Sequence, residues 1–116
     1  MKKVLIVDDD QDLLEVVKLV LTIHDFDVHT HSTGLNVPEI VNSYNPNAIL
    51  LDINLPGKSG TEICKELKEK DSSLPIILFS APTEKEKYFR ISGANGYIEK
   101  PFNVNELVST MKFYTN

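Results

Sequence analysis

The sequence predicts an α/β protein with a doubly wound parallel sheet. Three observations predict it. Five short apolar runs, most of them rich in Val, Ile or Leu, alternate with stretches of helical periodicity. The run Ala48-Ile49-Leu50-Leu51-Asp52 is apolar without interruption until its final carboxylate, as expected of a strand buried on both faces. Polar residues gather at the carboxyl ends of the runs, where open α/β sheets place their sites.

The elements follow in order. Val4 to Val7 is a buried strand ended by Asp8-Asp9-Asp10. Leu13, Leu14, Val16, Val17, Val20 and Leu21 fall at helical spacing, which gives a helix from Gln11 to Ile23 capped by Asp10. Phe26 to His31 is the second strand. Thr33-Gly34 turns the chain into a short helix with Pro38 in its first turn and Ile40, Val41 and Tyr44 as its buried face. Asn45-Pro46-Asn47 leads into the central run. A loop at Leu55-Pro56-Gly57-Lys58 follows, and Ser59 with Glu62 reads as a capping box for a helix to Lys70, with Ile63, Leu67 and Cys64 inside. Pro75 to Ser80 is the fourth strand. Thr83 with Glu86 caps a helix that Gly93 closes, and the Glu84 to Lys87 run is its solvated face. Gly96 to Glu99 is the last strand. Asn103 with Glu106 opens the final helix, whose Val104, Leu107, Val108 and Met111 are expected to face inward.

Five strands alternating with five helices require right-handed crossovers and helices on both faces. At this length the expected strand order is the flavodoxin-like 2-1-3-4-5. The 116 residues form one domain, 1–116, long enough to bury a core without disulfides, and Cys64 is the single cysteine. A net charge of -5 argues against a general nucleic-acid binder. No apolar stretch reaches membrane-spanning length, and the short run after Met1-Lys2-Lys3 does not make a signal peptide, so a cytoplasmic protein is expected.

The order places Asp8, Asp9 and Asp52 at the switch point of the sheet. Crowded carboxylates either retain a proton or bind a cation. A hard divalent ion, Mg²⁺ (or Mn²⁺), suits them and leaves room for phosphate oxygens. Ser80 and Lys100 end the two neighbouring strands with a donor and a cation. Together these are the parts that phosphoryl transfer needs, and Asp52, between the flanking groups, is the candidate nucleophile. His29 and His31 share one face of the second strand, read as an exposed edge rather than a metal pair.

Four segments together resemble the receiver domains of two-component response regulators. They are Val4-Leu5-Ile6-Val7-Asp8-Asp9-Asp10, Leu50 to Gly57, Phe79-Ser80-Ala81, and Gly93-Ala94 through Tyr97 to Lys100-Pro101-Phe102. The resemblance implies a signalling module in a phosphorelay, acting on no external substrate. It implies that Asp52 accepts a phosphoryl group from a sensor histidine kinase or phosphotransfer protein. Asp9 would bind Mg²⁺ directly, Asp8 through water, and Asn54 through its backbone carbonyl. Lys100 and Ser80 would contact the phosphoryl group. Tyr97 would move inward and change the face made by the helix after Thr83, the last strand and the final helix, where a downstream protein or a second copy binds. The Lys100-Pro101 bond would be cis.

The sequence departs from that family in the span from Ser80 to Lys100. It is slightly short, with the shortening before Gly93 and Pro82 stiffening the loop. No DNA-binding or enzymatic output domain is expected after the final helix. A competing reading is an aspartate-dependent phosphohydrolase of the haloacid dehalogenase type, with Asp8 as nucleophile and Asp10 as acid. A flavin-binding module is a third, disfavoured because three carboxylates stand where a phosphate cradle belongs.

Overall fold

A computed structural model of the chain describes residues 1–80 and 92–116. Among them are five strands and four helices: β1 (Lys2–Val7), α1 (Gln11–Ile23), β2 (Phe26–His31), α2 (Val37–Tyr44), β3 (Ala48–Asp52), α3 (Gly60–Lys70), β4 (Ile76–Ser80), β5 (Gly96–Glu99) and α4 (Val104–Thr115). The sheet order is β2-β1-β3-β4-β5, and every neighbouring pair is parallel. The expected helix opening at Thr83, the Pro82 loop, the Glu84–Lys87 face and the shortened span lie outside the described residues.

Side-chain alternation along each strand divides the core into two layers. Val4, Ile6, Leu50, Ile77, Phe79 and Ile98 face α1 and α4. Leu5, Val7, Ile49, Leu51, Ile76 and Leu78 face α3 and Val37 at the start of α2. Every residue of β3 and β4 is buried, as their unbroken apolar sequences require.

Local signals set the helix starts. The Asp10 carboxylate accepts from Leu13 N–H at 3.1 Å, Ser59 Oγ from Glu62 N–H at 3.3 Å, and Asn103 Oδ1 from Glu106 N–H at 3.1 Å. Cys64 is a core residue, and burial pushes its thiol up, against a hydrogen bond with Ser92 that works the other way.

In α1 the buried stripe is Leu14, Val17 and Leu21, with Leu13 and Val20 packed beside it and Val16 exposed. Two expectations about helix faces need correction. Val104 is 46% exposed; the buried face of α4 starts at Leu107 and runs to Thr115. In α2 the fully buried residue is Val37, while Ile40, Val41 and Tyr44 are half-buried at the rim of the second layer.

The two-layer core predicts a contrast readable by urea denaturation. Leu50→Ala, in the middle of β3, should lower stability by about 2–5 kcal/mol. Val16→Ala, on the exposed side of α1, should change it by less than about 0.5 kcal/mol.

Candidate functional site

Parallel register builds the site. Val7 pairs with Leu51, so Asp8 and Asp52 leave the sheet side by side. Asp52 pairs with Phe79, and Ser80 with Glu99, which brings Ser80 and Lys100 to the same edge. The carboxylate oxygens of Asp8, Asp9 and Asp52 converge within 4.8 Å of one another. Asp8 is fully buried, Asp52 is 4% exposed, and Asp9 is open to solvent.

Among the described residues, one cation reaches the acids. Lys100 Nζ lies 2.8 Å from Asp8 Oδ2 and 3.5 Å from Asp52 Oδ1, so the lysine stands closer to Asp8 than to the central aspartate. Its ammonium also sits 5.1 Å from the centre of the buried Phe79 ring, which packs edge-on against Phe102. The Lys100-Pro101 bond that follows is cis.

Backbone donors hold the carboxylates in place. Asn54 N–H donates to Asp52 Oδ1 at 3.3 Å, and Asp10 N–H donates to Asp8 Oδ1 at 3.0 Å. The helix α3 begins directly on the carboxyl end of β3: Gly60 N–H donates to the Ile53 carbonyl at 2.8 Å. Gly60 approaches so closely that a Cβ there would collide with the carbonyl oxygen of Asp52. Only glycine lets that helix seat against the residue after the strand.

Electrostatics set the protonation of Asp52. Burial and the Asp8 charge push its carboxyl up to about 6, although Lys100 and the Asn54 amide pull the other way. For Lys100, burial alone would lower the ammonium; its pairing with Asp8 and Asp52 outweighs that and holds it above the usual lysine range. Ser80 is 2% exposed, and its hydroxyl has no hydrogen-bond partner among the described residues. Three acids against one lysine, hard oxygen donors only, and an unmatched hydroxyl fit a divalent cation with an oxyanion beside it.

The chain's family follows from comparison with known proteins. The family model for the response regulator receiver domain matches residues 4–112. The chain belongs to the response regulator receiver domain family. Solved structures agree. The response regulator TrrA from Thermotoga maritima, in complex with Mg²⁺ and BeF, is 31% identical with a TM-score of 0.90, covering 98% of this chain and 99% of that one. A CheY-like receiver domain protein from Methanospirillum hungatei is 30% identical with a TM-score of 0.87, covering 99% and 94%. The chemotaxis protein CheY4 from Vibrio cholerae is 28% identical with a TM-score of 0.89, covering 98% of each chain. Receiver domains are signalling modules of two-component systems, not enzymes in the ordinary sense, and they work with histidine kinases and downstream effectors. No helix among the described residues is long and apolar enough to cross a membrane.

The site brings together Asp8, Asp9, Asp52, Ser80 and Lys100. Asn54 lies beside Asp52 through its amide, while Tyr97 sits away from the acids on β5, 38% exposed. The phosphohydrolase reading of this receiver domain is not supported: the Asp10 carboxylate is spent on capping α1. The His29 ring lies 5.3 Å from that of Tyr44, and His31 Nε2 lies 2.7 Å from the Leu35 carbonyl oxygen. The sequence reading missed Phe79 beneath Lys100 and Gly60 against Asp52. An aromatic just before Ser80 and a glycine just after a cap were the available signals.

Asp52 predicts a pH dependence for the metal-free protein. Its folded-state carboxyl titrates near 6, against an ordinary 3.8. The folded state therefore binds more protons than the unfolded chain across that window, and stability should fall as pH rises through it. At pH 8, Asp52→Asn should raise stability by on the order of 1–3 kcal/mol, measured by denaturation in a chelator.

Proposed function

We propose that Asp52 is the phosphoacceptor of this receiver domain. The observation that carries the assignment is the meeting of Asp8, Asp9 and Asp52 with Lys100 at one strand edge. Asp8 and Asp52 both face a carboxylate and the lysine, and Asp52 is the one that ends the central strand β3 and whose contact with Lys100 is the looser. Its Oδ attacks phosphorus on a phosphohistidine of a sensor kinase or phosphotransfer protein; the O–P bond forms as the N–P bond breaks, and the released imidazole takes up a proton.

Asp8, Asp9, Asp52 and the Asn54 backbone carbonyl would hold Mg²⁺, with Mn²⁺ as a substitute, and the ion would neutralise charge between the carboxylates and the incoming phosphoryl oxygens. Lys100 pairs with a phosphoryl oxygen as the group arrives, and Ser80 donates its unmatched hydroxyl to another. Loss of the phosphoryl group to water is catalysed at the same place.

The added group carries about -1.5 to -2 charges at pH 7. It shifts a two-state equilibrium to the extent that Ser80 and Lys100 bind it better in one state. Tyr97, exposed on β5, moves inward as Ser80 is drawn to the phosphoryl group. The face that bears β5 and α4 then changes shape for a downstream protein or a second copy of the chain. The receiver module spans residues 1–116 and works in the cytoplasm.

Intact-mass spectrometry tests the assignment. Incubated with Mg²⁺ and a small phosphodonor, the protein should gain one phosphoryl group; Asp52→Asn should gain none, and chelation of Mg²⁺ should abolish the gain. A label that persists in Asp52→Asn and vanishes in Asp8→Asn would move the phosphoacceptor to Asp8.

A further inference from the structure

The turn after β2, His31 to Leu35, carries no acid, yet it joins the acidic loop after β1 to the loop that follows Asp52. At its start the His31 carbonyl accepts from Asp8 N–H at 3.1 Å. At its far end Gly34 N–H donates to the Pro56 carbonyl at 2.9 Å. Gly34 is buried so tightly against the next loop that a Cβ would collide with the Lys58 carbonyl. The Leu35 side chain lies over Gly57, where a Cβ would come within 2.8 Å of Leu35 Cγ. The turn therefore spans from the backbone of Asp8 to the loop that follows Asp52.

The imidazole of His31 keeps this turn bent. Its Nε2 lies 2.7 Å from the Leu35 carbonyl oxygen. A carbonyl only accepts, so Nε2 carries the hydrogen. Thr33 Oγ1 supports the same turn by accepting from Leu35 N–H at 3.2 Å, and it lies 3.4 Å from Nε2. The ring thus fixes Leu35 from its carbonyl side while Thr33 fixes it from its amide side. Leu35 so held rests on Gly57, and Gly34 beside it holds Pro56 and Lys58. That loop begins at Asn54.

We propose that His31 is a positioning residue for the phosphorylation site: its imidazole braces the β2–α2 turn, which fixes the Asn54–Lys58 loop relative to Asp8. The inference rests on the assignment of Asp52 and Asn54 made above. His31 touches no reacting atom. It acts by keeping two oxygen-bearing loops at one spacing, and a hard cation with strict geometry is sensitive to that spacing.

Two readouts on the unphosphorylated protein test the brace. Hydrogen exchange by NMR, without metal, reports the turn through the Gly34 amide; calorimetric titration with Mg²⁺ reports the site. In His31→Ala the Gly34 amide should exchange about tenfold faster or more while the Leu50 amide is unchanged. Mg²⁺ should bind about threefold to tenfold more weakly, less than the 10–100-fold usual for a group bonded directly to a metal ligand. His31→Gln, whose carboxamide N–H reaches a similar position, should restore both to within about twofold of wild type. Unchanged exchange in His31→Ala would overturn the proposal, as would failure of the glutamine variant to rescue. Faster exchange with unchanged Mg²⁺ affinity would also overturn it, since the turn would then be structural only. Neither readout involves phosphorylation, so a misplaced phosphoacceptor would show separately, in the mass of Asp52→Asn.

Discussion

Repulsion among three carboxylates at one strand edge is the constraint on which the structure depends. Asp8, Asp9 and Asp52 bring oxygens within 4.8 Å of each other, and two of the three residues are buried. At that separation a pair of full charges repels by about 3–4 kcal/mol for an effective dielectric near 20. Among the described residues a single lysine is shared between Asp8 and Asp52, so compensation there is incomplete. Burial first, and the Asp8 charge after it, push the Asp52 carboxyl up. Such a site is held together by the rest of the fold: fully buried β3 and β4, the Phe79 ring beneath the lysine, and backbone amides on Asp8 and Asp52. The strain is useful because it favours the arrival of positive charge, and an oxyanion with it.

The same incompleteness explains how a small modification could reach a distant face. Ser80 is buried with an unmatched hydroxyl among the described residues, a condition that costs about 1–3 kcal/mol. Lys100 is placed nearer Asp8 than Asp52, leaving its interaction with the central acid the looser one. A phosphoryl group on Asp52 would satisfy the hydroxyl and redirect the lysine at once. Ser80 ends β4 and Lys100 follows β5, and the two strands are hydrogen-bonded neighbours, so under the proposed assignment a shift at Ser80 would have a direct path to the strand that bears Tyr97. The energy available is of the size that moves a two-state population substantially.

Much of this was legible in the sequence, for reasons that are local. The unbroken run from Ala48 to Leu51 marks a strand buried on both faces, and a polar residue at its end marks the sheet rim. Asp10, Ser59 and Asn103 announce their helices because a cap acts over three residues of chain. The strand order followed from alternation and length alone. What escaped depends on segments distant in the chain. Val104 has the right spacing to be buried, yet it is exposed. Val37 precedes the proline that marked its helix, and only the packing of α2 on the second layer shows that it is the buried residue there. Phe79 beneath Lys100 joins residues twenty-one positions apart across two strands.

The two glycine contacts show why the acids alone do not define the site. Gly60 lets α3 seat on the carbonyl of Asp52, and Gly34 lets the β2–α2 turn seat on the carbonyl of Lys58. In both cases backbone meets backbone with no room for a methyl group, so the loop after β3 is gripped from two sides by main chain. Loops are ordinarily the mobile part of an α/β rim. Here the loop that contains Asn54 is fastened at Ile53 by α3 and at Pro56 by the turn. Side chains that carry charge can then remain few and poorly compensated without the site spreading apart. The rigidity comes from residues with no charge, and the chemistry from residues whose charges that rigidity keeps together.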